Sequence, residues 1–312
     1  KKNKNDIILP SNTKIKYCNG ILFDFIRVLI KSDFDIYNFW LHPSIITSLL
    51  IYFKRRRIIW HIHNSNINIK YLGLKNFIFA CINSICSHFI PNKIIFCSKY
   101  AMLCHERFFF SKKNFLMIRN PILKKNIIQK KNYKFSGPLK FVMVANYTRA
   151  KNFKRLFEVI SRIYKYSFRL DIYGYGIYEN KYLKKLISKY YLNKSVKLMN
   201  FIKTDNLYHK YDFKFLVSNT ESSPMTIVES IISNTPCICS DVSDLKKVYK
   251  KNIYIIPDKI NDDFIYYINN LYNLRKNITH YKSLCLSSKA NVEKIHRPEL
   301  IFKRYNDIWL KI

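Results

Sequence analysis

Two glutamates, Glu221 and Glu229, stand eight residues apart in the stretch Val217–Val242, which reads VSNTESSPMTIVESIISNTPCICSDV. A carboxylate is an acceptor-only group, suited to the hydroxyls of a sugar or a ribose. Between the two lies Pro224. Beyond it, apolar residues at Ile227, Val228, Ile231 and Ile232 predict a helix over Met225–Ser233. The first N–H groups of a helix have no intrahelical partner, and the helix dipole adds partial positive charge there. The amides near Met225 and Thr226 therefore suit a phosphate. Amides for phosphates, one glutamate for a hexose and one for a ribose together make a nucleotide-sugar site. The plainer reading makes Glu221 a helix cap and Glu229 a surface residue.

These residues need elements to hold them. Phe213–Val217 and Pro236–Ser240 are apolar runs of buried-strand length on either side of the helix. Strand, loop, helix, strand is the repeating unit of a parallel α/β sheet, with ligands at the carboxyl ends of its strands. The same alternation fills the first half. Strands are predicted at Phe34–Leu41, Ile58–His63, Ile94–Cys97 and Phe115–Arg119, with helices at Pro43–Phe53, Tyr71–Ile90 and Lys99–Phe110. Lys124–Pro138 is polar and basic, ends in Gly137-Pro138, and reads as a linker. The pattern then restarts. Strands are predicted at Lys140–Ala145, Arg169–Tyr173, Val196–Met199 and Ile253–Ile256. Helices are predicted at Asn152–Tyr166, Asn180–Tyr191, Thr204–Tyr211, Asp262–Arg275 and Tyr281–Val292, and over the last residues from Pro298.

The stretch from Glu221 resembles the signature of the family 4 retaining glycosyltransferases, which have the GT-B fold. Their pattern runs Glu, seven residues, Glu, a small residue, a turn, Pro and an apolar strand. Here those are Glu221, Glu229, Ser230, Asn234-Thr235, Pro236 and Cys237-Ile238-Cys239. Ser222 and Ser223 replace the usual glycines. Asn234 replaces a turn glycine, and Asn tolerates the left-handed conformation. Ala145–Asn152 is similar to the family's diphosphate-binding loop. Lys151 falls on its Lys, while Asn146 falls on its Arg; Arg149, three residues on, is expected as the substitute cation, the plainer reading being a solvent-exposed loop arginine. Tyr173-Gly174-Tyr175-Gly176 matches the family's Gly-x-Gly turn, and Arg119-Asn120-Pro121-Ile122 the segment closing its first domain. His61-Ile62-His63-Asn64 ends a predicted strand where the family has a His near the donor hexose, and His63 aligns with it. A zinc reading of His61 and His63 lacks a third ligand nearby.

The resemblance implies an α/β GT-B architecture of two Rossmann-like domains facing a cleft. Residues 1–130 would be the acceptor-side domain, 136–296 the nucleotide-sugar domain, and 297–312 a helix crossing back to the first. The first domain is expected to be truncated at its start: only 33 residues precede Phe34, and Gly20 is the single glycine among them, so the family's Gly-rich loop has no counterpart. The implied reaction moves a hexose from a nucleotide diphosphate sugar to a glycan or lipid-linked acceptor, as in cell-surface polysaccharide or lipopolysaccharide synthesis. Glu221, His63 and Lys151 form the implied catalytic set. Asn146, Arg149, Lys151, Gly174, Glu221, Pro224, Met225, Thr226 and Glu229 form the donor set. No Asp-x-Asp motif stands at a strand end, so neither a metal nor a further cofactor is expected.

Composition sets the outer bounds. At 312 residues, with 48% hydrophobic residues, the chain has room for two folded domains and is unlike a disordered protein. Its net charge is +35, shared between both halves rather than gathered in a tail. The charge reads as solvated faces, with an anionic membrane surface near Lys54–Arg57 as a further partner. No recognisable nucleic-acid-binding motif is present, so no specific nucleic acid is expected. Eight cysteines without a Cys-x-x-Cys pair point to a reducing cytoplasm, with the protein peripheral on the inner face of the membrane. Two rivals remain at this level: a sugar-nucleotide epimerase of similar fold, and a non-enzymatic basic binding module.

Overall fold

Among the described residues the apolar runs become ten parallel strands in two sheets. The computed structural model describes residues 22–122, 127–134, 137–163, 167–249, 253–287 and 289–311. The predicted late start of the first domain, with Gly20, falls outside them, as do residues 124–126 and 135–136 of the linker segment.

The first sheet holds β1 (Ile36–Trp40), β2 (Arg57–Ile62), β3 (Lys93–Phe96) and β4 (Phe115–Met117), in that order. The second holds β5 (Leu139–Val144), β6 (Phe168–Tyr173), β7 (Val196–Met199), β8 (Phe213–Leu216), β9 (Cys237–Ser240) and β10 (Ile253–Ile256), ordered β10-β9-β8-β5-β6-β7. Strands buried on both faces are built from unbroken apolar runs, as Phe141–Met143 and Phe215–Val217 show. The direction of winding reverses between β5 and β8. A crevice opens outside the carboxyl ends of strands at such a switch point.

Several helices differ from the sequence reading. Pro43–Phe53 is not one helix but His42–Ile45, a 3-10 turn at Ile46–Ser48, and Leu49–Tyr52. Ser48 is buried in that turn, where its Oγ accepts from Trp60 Nε1 at 3.1 Å. Tyr71–Ile90 splits into Ile69–Leu72 and Leu74–Cys86 at Gly73, whose φ of 75° no helix contains. Thr204–Tyr211 is a pair of 3-10 turns, Thr204–Asn206 and Tyr208–Lys210, and Tyr281–Val292 lies across two helices, Ile278–Leu286 and Lys289–Ile295. A helix at Leu22–Lys31, not foreseen, precedes β1.

The segment read as a linker is packed where it is described. Tyr133 joins the core of the second sheet. The buried Lys130 donates to Tyr211 O at 2.6 Å and to Tyr281 Oη at 2.7 Å. The final helix, Pro298–Lys311, lies on the first sheet, with Ile301 buried against Ile59, Ile95 and Ile118. Side chains also tie the two sheets' loops together. Ser65 Oγ meets Thr220 Oγ1 at 2.6 Å, and Asp244 accepts from the amides of Lys99 and Tyr100 at 2.8 and 3.0 Å. That carboxylate caps the Lys99–Arg107 helix, where an anion offsets the dipole.

Candidate active site

A cavity of about 830 Å³ opens at the β5/β8 switch point. The loop after β5 supplies one wall. Asn152 closes its 3-10 turn, Arg149–Lys151, in the left-handed conformation (φ 45°, ψ 56°) and caps the following helix by accepting from Arg155 N. Asparagine suits that position because its side chain hydrogen-bonds locally where other residues are strained. The turn aims Lys151 into the cavity, where its Nζ donates to Glu221 Oε1 at 2.5 Å. Ser218 Oγ donates to the same oxygen at 2.6 Å. Lys151 and Glu221 are largely buried, at 24% and 12% side-chain exposure, so this ion pair is poorly screened by water.

The loop after β8 brings the helix Met225–Ile232 to the same cavity. Its N-cap, Pro224, offers no side-chain cap, and Pro224, Met225 and Thr226 all line the cavity wall. Glu229, one turn further in, also lines the wall and accepts from Thr204 Oγ1 at 2.8 Å. Asn234 adopts the left-handed conformation (φ 57°) in the turn that follows, as its residue type suggested.

The end of β6 forms the remaining side. Gly174 passes so close to β5 that an added Cβ would stand 2.1 Å from Ala145 O. No side chain fits there. Asn146, the residue in place of an arginine, has Oδ1 accepting from Tyr175 N at 3.1 Å, and so fixes the Gly174 turn rather than adding charge.

The structure thus gathers Asn146, Lys151, Gly174, Glu221, Pro224, Met225, Thr226 and Glu229 around one cavity, and leaves two predicted residues off its walls. Arg149 is exposed and does not line the cavity, and its carbonyl accepts from Asn219 Nδ2 at 3.4 Å. His63 is half-buried and stacks on Trp40 with ring centroids 5.0 Å apart; burial lowers its pKa. The loop it opens nevertheless reaches the glutamate loop through the Ser65–Thr220 contact. His61 is a packing residue. Its ring lies 4.0 Å from Trp40, its Nε2 is 3.0 Å from Asn38 Oδ1, and burial with the neighbouring His63 lowers its pKa to about 3.

Among the wall residues to which the sequence reading gave no role, three carry recognisable chemistry. Lys203 brings a second cation, and Tyr175 and Phe201 stack at 4.3 Å with planes 10° apart. Their positions just past β6 and β7 were the available signal, since strand ends line the crevice of such a sheet.

Two parallel Rossmann-like sheets with a ligand cleft at the switch point define the GT-B fold. The sequence profile described as "Glycosyl transferases group 1" matches residues 124–283, and the chain belongs to that family. It is 28% identical over 207 residues to the amylovoran biosynthesis glycosyltransferase AmsD of Erwinia amylovora. That match covers 64% of this chain and 57% of the relative, so the chain spans little more than half the relative's length. Among solved structures it is similar to Anabaena HepE in complex with UDP-glucose, with a TM-score of 0.75 and 11% identity, covering 93% of this chain and 82% of that one. It is also similar to sucrose-phosphate synthase from Thermosynechococcus elongatus, with a TM-score of 0.76 and 13% identity, covering 93% and 77%. These two likenesses are of fold.

Proposed function

We propose that this protein transfers a hexose, with retention at the anomeric carbon, from a nucleotide diphosphate sugar to a glycan or lipid-linked acceptor in cell-surface polysaccharide synthesis. The observation that carries the reading is the placement of Glu221 and Glu229 on one cavity wall, on either side of a helix start with no side-chain cap. The helix amides, Lys151 and Lys203 meet the diphosphate and stabilise the charge that grows on it as the glycosidic bond breaks. Glu229 takes the ribose hydroxyls and Glu221 the hexose hydroxyls. The exposed Tyr175–Phe201 pair offers a flat face to the base. His63, on the loop docked against Thr220, approaches from the acceptor side. The amides and lysines leave no step that needs a metal.

A lipid-linked acceptor would hold the proposed reaction at a membrane surface. Among the described residues no helix is long and apolar enough to cross one. A cytoplasmic protein held at the inner face would bind through exposed aromatics and basic residues instead.

The test is transfer with purified protein. UDP-glucose, UDP-galactose and GDP-mannose are supplied with a lipid-linked or oligosaccharide acceptor, and product linkage is read by NMR. Release of nucleotide diphosphate only when acceptor is present, an α-linked product from an α-donor, and undiminished rate in EDTA are expected. Conversion of the sugar nucleotide without acceptor would favour the epimerase instead.

A further inference from the structure

Lys214 is fully buried in β8, between Phe213 and Phe215. A strand covered on both faces is normally apolar, and a lysine is almost never fully buried without a partner. Its Nζ donates to Thr226 Oγ1 at 2.9 Å. An ammonium has three donors and no acceptor; a hydroxyl has one donor and two lone pairs. Thr226 Oγ1 is therefore the acceptor, and its own O–H must point elsewhere. Thr226 is the second residue of the Met225–Ile232 helix and lines the cavity, and among the described residues its hydroxyl has no acceptor.

We propose that Lys214 is a positioning residue for the diphosphate: it makes Thr226 an obligate donor into the cavity and sets a buried positive charge behind it. This rests on the reading that the cavity takes a nucleotide diphosphate sugar. A hydroxyl free to choose would serve a cation or a water as readily as a phosphate. One held from behind by an ammonium serves only an acceptor, beside helix amides of the same polarity.

Other groups face the ammonium: Cys237 and Cys239 on β9, Glu221 from the loop after β8, and Lys151 from the turn after β5. Burial lowers the Lys214 pKa to about 8, with the two cysteines and Glu221 opposing the shift and Lys151 adding to it. The lysine is thus mainly charged at neutral pH and discharges as pH rises past that value. Binding of an anion favours the charged form, so affinity should fall as pH rises through this range.

The experiment is calorimetric titration of the whole chain with UDP, GDP and inorganic pyrophosphate, from about pH 7 to about pH 9.5. Lys214→Met, Thr226→Val, Thr226→Ser and the double variant Lys214→Met/Thr226→Val are compared with wild type. Wild type should lose affinity as pH climbs. Lys214→Met should bind about tenfold more weakly near neutral pH and show a flatter profile. Thr226→Val should weaken binding, Thr226→Ser should retain it, and the double variant should be little worse than either single one. Met fills the same volume without a buried charge, so the melting temperature of Lys214→Met should be at or above that of wild type. If Lys214→Met fails to fold, Thr226→Val and Thr226→Ser carry the test, and equal affinity in those two overturns the proposal. Wild-type affinity and pH slope in Lys214→Met overturn it alone. Wild type binding none of the three probes overturns it together with the diphosphate reading.

Discussion

Lys151 and Glu221 hold each other across the cavity, which constrains what each does next. A diphosphate that recruits Lys151 competes with the carboxylate, and a hexose that recruits Glu221 competes with the ammonium. Glu221→Gln keeps the shape and frees the lysine. UDP should therefore bind this variant at least as tightly as wild type. Transfer should fall by roughly ten- to a hundredfold in kcat/KM, the cost of one or more charge-assisted hydrogen bonds to the sugar. Glu229→Ala should instead weaken UDP itself, because ribose hydroxyls belong to the bare nucleotide. Titration of both variants with UDP and UDP-glucose separates these effects. Equal loss of both ligands in both variants would end the proposed division of labour.

At the scale of elements, the basic run after the Leu49–Tyr52 helix does more than face solvent. Lys54 donates to Ser32 O at 2.7 Å, satisfying a carbonyl just past the Leu22–Lys31 helix, and Arg56 pairs with Asp33. Arg55 and Arg57 stay exposed beside an aromatic cluster. Tyr52 packs on Phe53 and Phe89, and Phe53 and Phe109 are 83% and 82% exposed. His88 links the Phe89 and Phe109 segments through Phe109 O at 3.0 Å. Such a face fits the proposed membrane contact, with rings entering the headgroup region and arginines meeting anionic lipid. Phe53→Glu/Phe109→Glu should abolish cosedimentation with phosphatidylglycerol vesicles, since each buried ring contributes roughly 1.5–3 kcal/mol. UDP affinity in solution should not change. Wild-type binding that ignores both salt and the two substitutions would remove this face from consideration.

At the scale of the whole molecule, the chain's last helix covers the sheet built by its first half. Ile301 lies at the centre of that contact, buried among Ile59, Ile95 and Ile118. Truncating a buried isoleucine to alanine costs about 2–5 kcal/mol. The expected boundary at 130 is set too late, because Lys130 and Tyr133 already pack into the second sheet's core. We propose that the two sheets fold as separate units, with residues 127–134 belonging to the second and the Pro298–Lys311 helix completing the first. Ile301→Ala should then speed hydrogen exchange in β2, β3 and β4 while leaving β5 to β10 protected. Uniform loss of protection in both sheets would mean that the halves unfold as one.

The sequence by itself determined the strands, the strand–loop–helix unit around Glu221, and the left-handed turn at Asn234, because burial and backbone preference leave a local period or residue type. Three separate family-like motifs singled out Lys151, Gly174 and Glu229, and the fold sets all three around one cavity. The sequence did not reveal that Tyr71–Ile90 breaks at Gly73, although the glycine was in view, because the apolar pattern continues on both sides. Nor did it show that Arg149 stays off the cavity wall while Lys203 lines it. A 3-10 turn and a strand end set those positions, and neither leaves a periodic trace. The Lys151–Glu221 and Lys214–Thr226 pairs lay further from reach. The first joins residues 70 positions apart, and the second puts a charge inside an apolar run. Only the close approach of β5 and β8 at the switch point turns both lysines toward the helix that starts at Met225.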